Sequence, residues 1–454
     1  MADNDIYDVA IIGAGVVGCA TARRFALAGL KVLLIEKGAD ILSGASKANS
    51  AILHTGFDAP AGSLELECMQ AGYDEYLAIR EARNLPLLET GSLVVAWTEA
   101  DEARLELLEA QAHANGVADA HRIGRPDLRA LEPNLADAAQ AALRVPREHI
   151  IDPWSPFLSY VIEAQSLGAR IERSTEVSGG EFDGQFWRIE TGRGQFLARW
   201  VVNAAGLFGD TIEKAFLGDA SFTIKPRKGQ FVVFDKAAAQ FLNSIILPVP
   251  SERTKGLVLT RTIFGNLLVG PTAEEQQDRT RAAVSTPELE MLIAKAVEIL
   301  PALDGMPVTA TYAGLRPATE EKHYRIRYDP DRHWLTAGGI RSTGMTSALG
   351  LAQHLLRLYG GEVTTQPAAP TMPNLAEHAP RDWQKAGYGE IVCHCEMVTR
   401  REIDAALDGP FPPRDFGGLK RRTRCGMGRC QGFYCMGHLA ELTQGRLDEP
   451  LAVS

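Results

Sequence analysis

Nowhere in the 454 residues does an apolar run approach the roughly 18 to 20 residues that a helix needs to cross a bilayer. The start, Met1-Ala2-Asp3-Asn4-Asp5, lacks the basic stretch that opens a secretory signal. Direct membrane insertion is therefore not expected, and the sequence reads as cytoplasmic. Basic charge is short as well: 47 Lys and Arg stand against 57 Asp and Glu, a formal net charge of -10. A general nucleic-acid binder needs the opposite balance, so any anionic small molecule has to meet a local pocket of cations. Cysteines number only seven, and five of them (Cys393, Cys395, Cys425, Cys430 and Cys435) fall after residue 390. In a reducing compartment that crowding points to a metal site before it points to disulfides. There is no repeat of fixed period and no low-complexity tract.

What is present begins with a nucleotide unit. Asp8 to Ile12 reads as an apolar strand, Gly13-Ala14-Gly15-Val16-Val17-Gly18 as a turn, Cys19 to Leu27 as a helix and Lys31 to Ile35 as a second strand. Gly13 allows the turn, Gly15 lets a pyrophosphate touch the backbone, and Gly18 lets the helix pack with its positive end toward phosphate. Seventeen residues separate Gly18 from Glu36, which places a carboxylate where a ribose hydroxyl would be accepted. The fingerprint by itself serves FAD and NAD alike. Its position at the start of the chain, the Ser/Gly/Asn-rich segment Ser43 to Gly56 and the late Gly338-Gly339 strand end before a helix favour FAD. No second unit of this kind follows, which argues against tandem FAD and NAD(P)H domains. Electrons for such a flavin come from an organic substrate.

Two further strands, Trp200 to Gly206 and Trp334 to Gly339, run into small residues and are expected in the same sheet. Helical segments (Glu99 to Asn115, Thr286 to Ile299) and strand-like segments (Gly229 to Phe234, Gly256 to Thr260) fit a second, mixed layer inserted into the nucleotide domain. A stretch with Pro367, Pro370, Pro373 and Pro380 reads as a linker. The expected fold is α/β: a Rossmann-type FAD-binding domain with an inserted α+β substrate domain and a small C-terminal helical iron-sulfur domain. The oxidoreductase part spans 1–360, with FAD-binding segments near 5–85, 145–225 and 310–360 and substrate-domain segments near 86–144 and 226–309. The linker is 361–389 and the cysteine module 390–454.

Cys393-x-Cys395 and Cys430-x4-Cys435, thirty-four residues apart, supply four thiolates in two pairs. That count suits a [2Fe-2S] cluster, whose two irons take two thiolates each. Structural zinc is the competing reading. The run Lys420-Arg421-Arg422-Thr423-Arg424 is either a solvated face or a device that offsets cluster charge or docks an acidic partner. His54 sits in a Gly/Ser/Asn-rich loop. Its ordinary pKa, near 6.5, suits a base for a hydroxyl proton, the alternative being a core histidine. Arg316, between Gly314 and Pro317, has the fork that grips carboxylate or phosphate, unless it is a surface arginine.

The fingerprint resembles the D-amino-acid-oxidase-like superfamily of FAD enzymes when taken with Lys47 to Gly56, Lys228-Gly229-Gln230, Gly270-Pro271-Thr272, Ala313-Gly314-Leu315-Arg316-Pro317 and Gly338-Gly339-Ile340-Arg341-Ser342-x-Gly344. Within it, the pattern is most similar to the glycerol-3-phosphate dehydrogenase/oxidase and L-2-hydroxyglutarate dehydrogenase branches. The run Arg421 to Gly432 resembles the bacterioferritin-associated-ferredoxin-like [2Fe-2S] domain that ends the large subunit of anaerobic glycerol-3-phosphate dehydrogenase. The resemblance implies a dehydrogenase that passes electrons onward. His54 would be catalytic, Arg316 would hold the substrate anion, and Lys255 and Ser342 would contact its phosphate. The implied FAD contacts are Gly13, Gly15, Gly18, Glu36, Lys37, Ser46, Asn49, Ser50, Val177, Ala205, Gly206, Gly339, Gly344 and Met345. Cys425 stands where the family pattern carries a small apolar residue and stays outside the ligand set.

The reading is an FAD-dependent dehydrogenase of a small anionic CH-OH substrate, sn-glycerol 3-phosphate first, with electrons leaving through a [2Fe-2S] cluster. An electron-acceptor protein or quinone-linked partner subunit is implied, with a possible hetero-oligomer and membrane association through that partner. Rival readings are a 2-hydroxy-acid dehydrogenase, a secondary amine or imino-acid dehydrogenase, and a non-catalytic electron-transfer subunit.

Overall fold

The computed structural model describes residues 5–250, 256–366 and 368–451. Val9 to Ile12 are buried on both faces, which is what the middle strand of a covered parallel sheet requires. The strand Ile6–Ile12 accordingly runs parallel between Val32–Ile35 and Gly194–Asn203. Arg170–Glu172 extends one side, and Trp334–Gly338 pairs in parallel with Gly194–Asn203 on the other. The two small-residue strand ends expected in one sheet are thus neighbours. The helix Val16–Leu27 starts at Gly15. A Cβ on Gly18 would lie 1.8 Å from the Gly13 carbonyl oxygen, so only glycine lets the helix close on the turn before it.

A second sheet, nine-stranded among the described residues, covers the loop that follows the nucleotide unit, where Tyr312 of its strand Val308–Thr319 donates to the Asn49 carbonyl at 3.1 Å. Its spine is the antiparallel pair Ile224–Phe234 and Val308–Thr319, in register from Ile224 opposite Thr319 to Val233 opposite Ala310, with a shift before Phe234 opposite Val308. The strand carrying Arg316 therefore belongs to the covering sheet and not to the nucleotide segment starting near 310. Eleven paired positions outweigh the proximity in sequence to Trp334–Gly338.

Residues 361–389 do not behave as a free linker either. Met372, Leu375 and Ala376 are buried. The Thr364 amide donates to the Leu27 carbonyl, the Met372 amide to that of Arg83 and the Glu377 amide to that of Ile263. The segment is a strap laid across both domains. Beyond it, a two-stranded ribbon and the helices Arg400–Asp408, Phe416–Thr423 and Met436–Leu442 enclose a small core around Val392, Ile403, Leu419 and Leu439. No helix among the described residues is long and apolar enough to cross a membrane.

Candidate active site

A cavity of about 510 Å³ opens at the end of the parallel sheet, lined by Gly13, Gly15, Glu36, Lys37, Ser46, Val177, Ala205 and Gly206. This is the switch-point crevice where such sheets bind dinucleotides. Glu36 accepts the amide protons of Ala14 at 2.7 Å and Gly38 at 2.8 Å. Burial pushes its carboxyl up, against those two amides. Ser46 Oγ accepts the Val16 amide at 3.1 Å, which ties the loop to the start of the phosphate-facing helix. Lys37 Nζ lies 3.3 Å over the Phe208 ring. Asn49 and Ser50 line a neighbouring cavity of about 350 Å³. Asn49 braces its own loop by donating to the Ser46 carbonyl and accepting the Ala51 amide. Gly344 and Met345 open the helix Gly344–Tyr359, and Gly339 precedes it with φ +68°. A larger cavity, about 930 Å³, lies elsewhere, between Arg80, the strap and the helix Arg400–Asp408.

His54 follows the short strand Ile52–Leu53, which pairs antiparallel with His149–Ile151. That pairing delivers Glu148, from 94 residues away, to the imidazole: His54 Nδ1 is 2.7 Å from Glu148 Oε2. Glu148 is completely buried. Its other oxygen accepts from the Thr55 amide at 2.6 Å and the Thr55 hydroxyl at 2.7 Å. An ionised carboxylate accepts only, and with that partner Nδ1–H is the donor of the pair. The His54 amide donates to Thr346 Oγ1 at 3.0 Å, fastening the loop to the helix that follows Gly339. His54 is a half-buried, oriented imidazole and not a core histidine. Sequence reading missed Glu148; a lone acidic residue before Ile150-Ile151 carries no signal until the strands pair.

Arg316 is part-buried, and its Nη2 reaches only main-chain carbonyls, those of Thr272 at 2.6 Å and Lys228 at 3.3 Å. Its Nε is enclosed without a partner. Among the described residues no carboxylate forms an ion pair with it. Burial, then the like charges of Arg227 and Arg341, push the guanidinium down to about 10. A cation so placed lacks its counter-charge, which an anionic ligand would supply. Arg341 connects this spot to the other end of the site: it precedes Ser342, which is exposed, and the turn leading to Thr346. Lys255 lies outside the described residues.

The cysteines form two pairs. Cys393 shares a thiol hydrogen bond with Cys435, and Cys395 with Cys430. Cys435 also lies near Cys430, so the two pairs are neighbours and supply the two-plus-two thiol set that a binuclear cluster takes. No group of three or more His, Cys, Asp or Glu among the described residues is arranged for a single metal ion. Cys425 is buried close to Cys393 and Cys435. The basic run is no solvated face: Arg422 and Arg424 are buried in ion pairs with Asp40 and Glu396 of the same chain.

Comparison with known proteins agrees with this geometry. Residues 8–358 match the family model described as FAD dependent oxidoreductase. The chain belongs to that family. Residues 391–444 match the BFD-like [2Fe-2S] binding domain. The chain is 31% identical over 450 residues to a glycerol 3-phosphate dehydrogenase of Caloramator mitchellensis, covering 96% of this chain and 94% of the relative. It is 27% identical to a subunit of the anaerobic glycerol-3-phosphate dehydrogenase of Escherichia coli K12, over 97% of this chain and 89% of the relative. Among solved structures, a dithionite-reduced L-α-glycerophosphate oxidase of Mycoplasma pneumoniae with FAD bound superposes with a TM-score of 0.76 at 27% identity. That match covers 82% of this chain and all of the other. This family member is an FAD-dependent oxidoreductase with a second, [2Fe-2S] cofactor. The crevice with Gly13, Gly15, Glu36 and Ser46 fits the dinucleotide, and the two thiol pairs fit the cluster.

Proposed function

We propose that the enzyme oxidises the secondary hydroxyl of sn-glycerol 3-phosphate and passes the electrons through its own cluster to an external acceptor. The observation that carries the reading is the His54–Glu148 pair. Glu148, bound to Nδ1, leaves Nε2 as the ring nitrogen for the base, and it stabilises the imidazolium formed when Nε2 takes the hydroxyl proton. A neutral amine needs no such base. Arg316 neutralises the phosphate; Ser342 and Lys255 are assigned to the same anion. Bound FAD supplies the hydride acceptor.

The dehydrogenase reading over the oxidase reading rests on the cysteine module. The oxidase structure is matched over its full length by 82% of this chain, whereas the match to the Escherichia coli dehydrogenase chain extends over 97%. That relative is one component of a larger enzyme by its name, which supports a partner chain as the acceptor here. The test is anaerobic titration with sn-glycerol 3-phosphate, L-2-hydroxyglutarate and sarcosine, followed at the flavin bands. Bleaching by the phosphate ester at the lowest concentration is expected. Bleaching by the amine alone overturns the reading, and bleaching by none supports a non-catalytic carrier of electrons.

A further inference from the structure

Asp40 lies four residues beyond Glu36 and is completely buried. Its carboxylate accepts from Arg422 at 2.6 and 3.0 Å and from the Ile41 amide at 2.8 Å, and it stands 3.5 Å from Arg173. Arg422 is 382 positions away and belongs to the cysteine module. Around this pair the two domains exchange further bonds. Arg421 donates to the Ile41 carbonyl at 3.0 Å, and Arg173 donates to the Pro412 carbonyl at 2.7 Å. The helix Phe416–Thr423 comes so close that a Cβ on Gly418 would lie 1.8 Å from Asp40 Oδ2.

A second set of contacts holds the module to the covering sheet. Arg424, braced by Glu396 of the module at 3.0 Å, lies 3.9 Å over Phe264, Lys236 stands 3.5 Å from Glu396, and Arg429 reaches Asp235 at 2.7 Å. Between the two sets sits the cavity of about 350 Å³. The flavin-side loop Lys47 to Ala51 forms one wall, and Lys420 of the helix Phe416–Thr423 with Met427 and Gln431 of the cluster loop forms another.

A buried ion pair stabilises less than well-packed apolar groups would, whereas losing one partner is costly. Its use is to fix one arrangement. We propose that Asp40 and Arg422 are a positioning pair that seats the cysteine module beside the dinucleotide domain and thereby sets the rate of electron passage from flavin to cluster within one chain. This rests on the FAD and [2Fe-2S] reading but not on the identity of the substrate. Two electrons on the flavin leave singly, with the accompanying protons going to solvent. Each electron converts one ferric iron of the cluster to ferrous, and an external one-electron oxidant such as ferricenium restores it, two oxidants per flavin.

The test uses holoenzyme at matched flavin and iron content, reduced anaerobically by a light pulse with EDTA as donor. Flavin absorbance is followed together with the electron paramagnetic resonance of the reduced cluster, and amide exchange is measured across 416–423. In Arg422→Met the flavin is photoreduced as before, while exchange rises and cluster reduction slows by about tenfold or more, since small misplacements carry large rate costs. Asp40→Asn/Arg422→Met, which removes both charges, recovers part of that rate. Gly418→Ala keeps both charges but forces the helix outward and slows the cluster in the same way. Wild-type cluster reduction in Arg422→Met and Gly418→Ala, or exchange unchanged in both, overturns the proposal. Because light supplies the electrons, failure of glycerol 3-phosphate to bleach the flavin would break the substrate reading and leave this result standing.

Discussion

Two arginines withdrawn from solvent stand in contrasting surroundings. Arg422 meets the Asp40 carboxylate with two hydrogen bonds, and around them the cysteine module is fastened to the dinucleotide domain. Arg316 faces the carbonyls of Lys228 and Thr272, has Arg227 and Arg341 as charged neighbours, and no carboxylate among the described residues pairs with it. Both are desolvated cations, but only one has its counter-charge built in. A matched buried charge marks an internal joint; an unmatched one marks a place where a ligand completes the structure.

That contrast can be broken by substitution. The largest effect belongs to the proposed chemistry: His54→Asn removes the proposed base and lowers kcat by about 10² to 10⁴. Glu148→Gln leaves the ring in place but takes away the anion that sets its tautomer, and falls in the same range. Single-turnover flavin reduction measures both. Arg316→Met lowers kcat/KM for the anionic substrate by about 10² to 10³, as truncating one partner of a buried charge pair does. Its denaturant midpoint stays close to wild type, because no carboxylate is orphaned. Arg422→Met does the reverse. It leaves flavin reduction by substrate alone but destabilises the folded chain by about 3 to 5 kcal/mol through the stranded Asp40, read from denaturant unfolding.

The smallest effect is a pH dependence of the joint. Burial pushes the Glu396 carboxyl up, but Arg424 and Lys236 outweigh it and hold the group below its ordinary value. A carboxyl depressed in the folded state contributes stability that is present above the unfolded value, near 4.3, and is lost as pH falls through the folded one. Amide exchange in the module therefore rises on acidification below about pH 4.3, and Glu396→Gln flattens that rise.

How much the sequence discloses follows the range of each interaction. Gly13, Gly15, Gly18 and Glu36 act within one βαβ unit, so their spacing alone placed the crevice. The cysteine spacing showed four thiols but not their partners, which the fold pairs crosswise, Cys393 with Cys435 and Cys395 with Cys430, and Thr286–Ile299 is helical as expected. Partners joined by tertiary pairing were invisible. Glu148 reaches His54 only because Ile52–Leu53 pairs with His149–Ile151. Asp40 reaches Arg422 only because a helix far along the chain folds back on it, which is why neither reading of the basic run, a solvated face or a device for the cluster or a partner, named this ion pair. The prolines of 361–389 suggested a linker, yet Met372 and Leu375 pin it as a strap.

The central claim is that the unmatched Arg316 exists for a substrate anion. The direct measurement is the ratio of kcat/KM for sn-glycerol 3-phosphate to that for uncharged glycerol, taken from anaerobic flavin bleaching in the wild type and in Arg316→Met. The account predicts a ratio well above unity that falls by about 10² or more in the variant. A ratio near unity in the wild type, or one that Arg316→Met leaves unchanged, would contradict it.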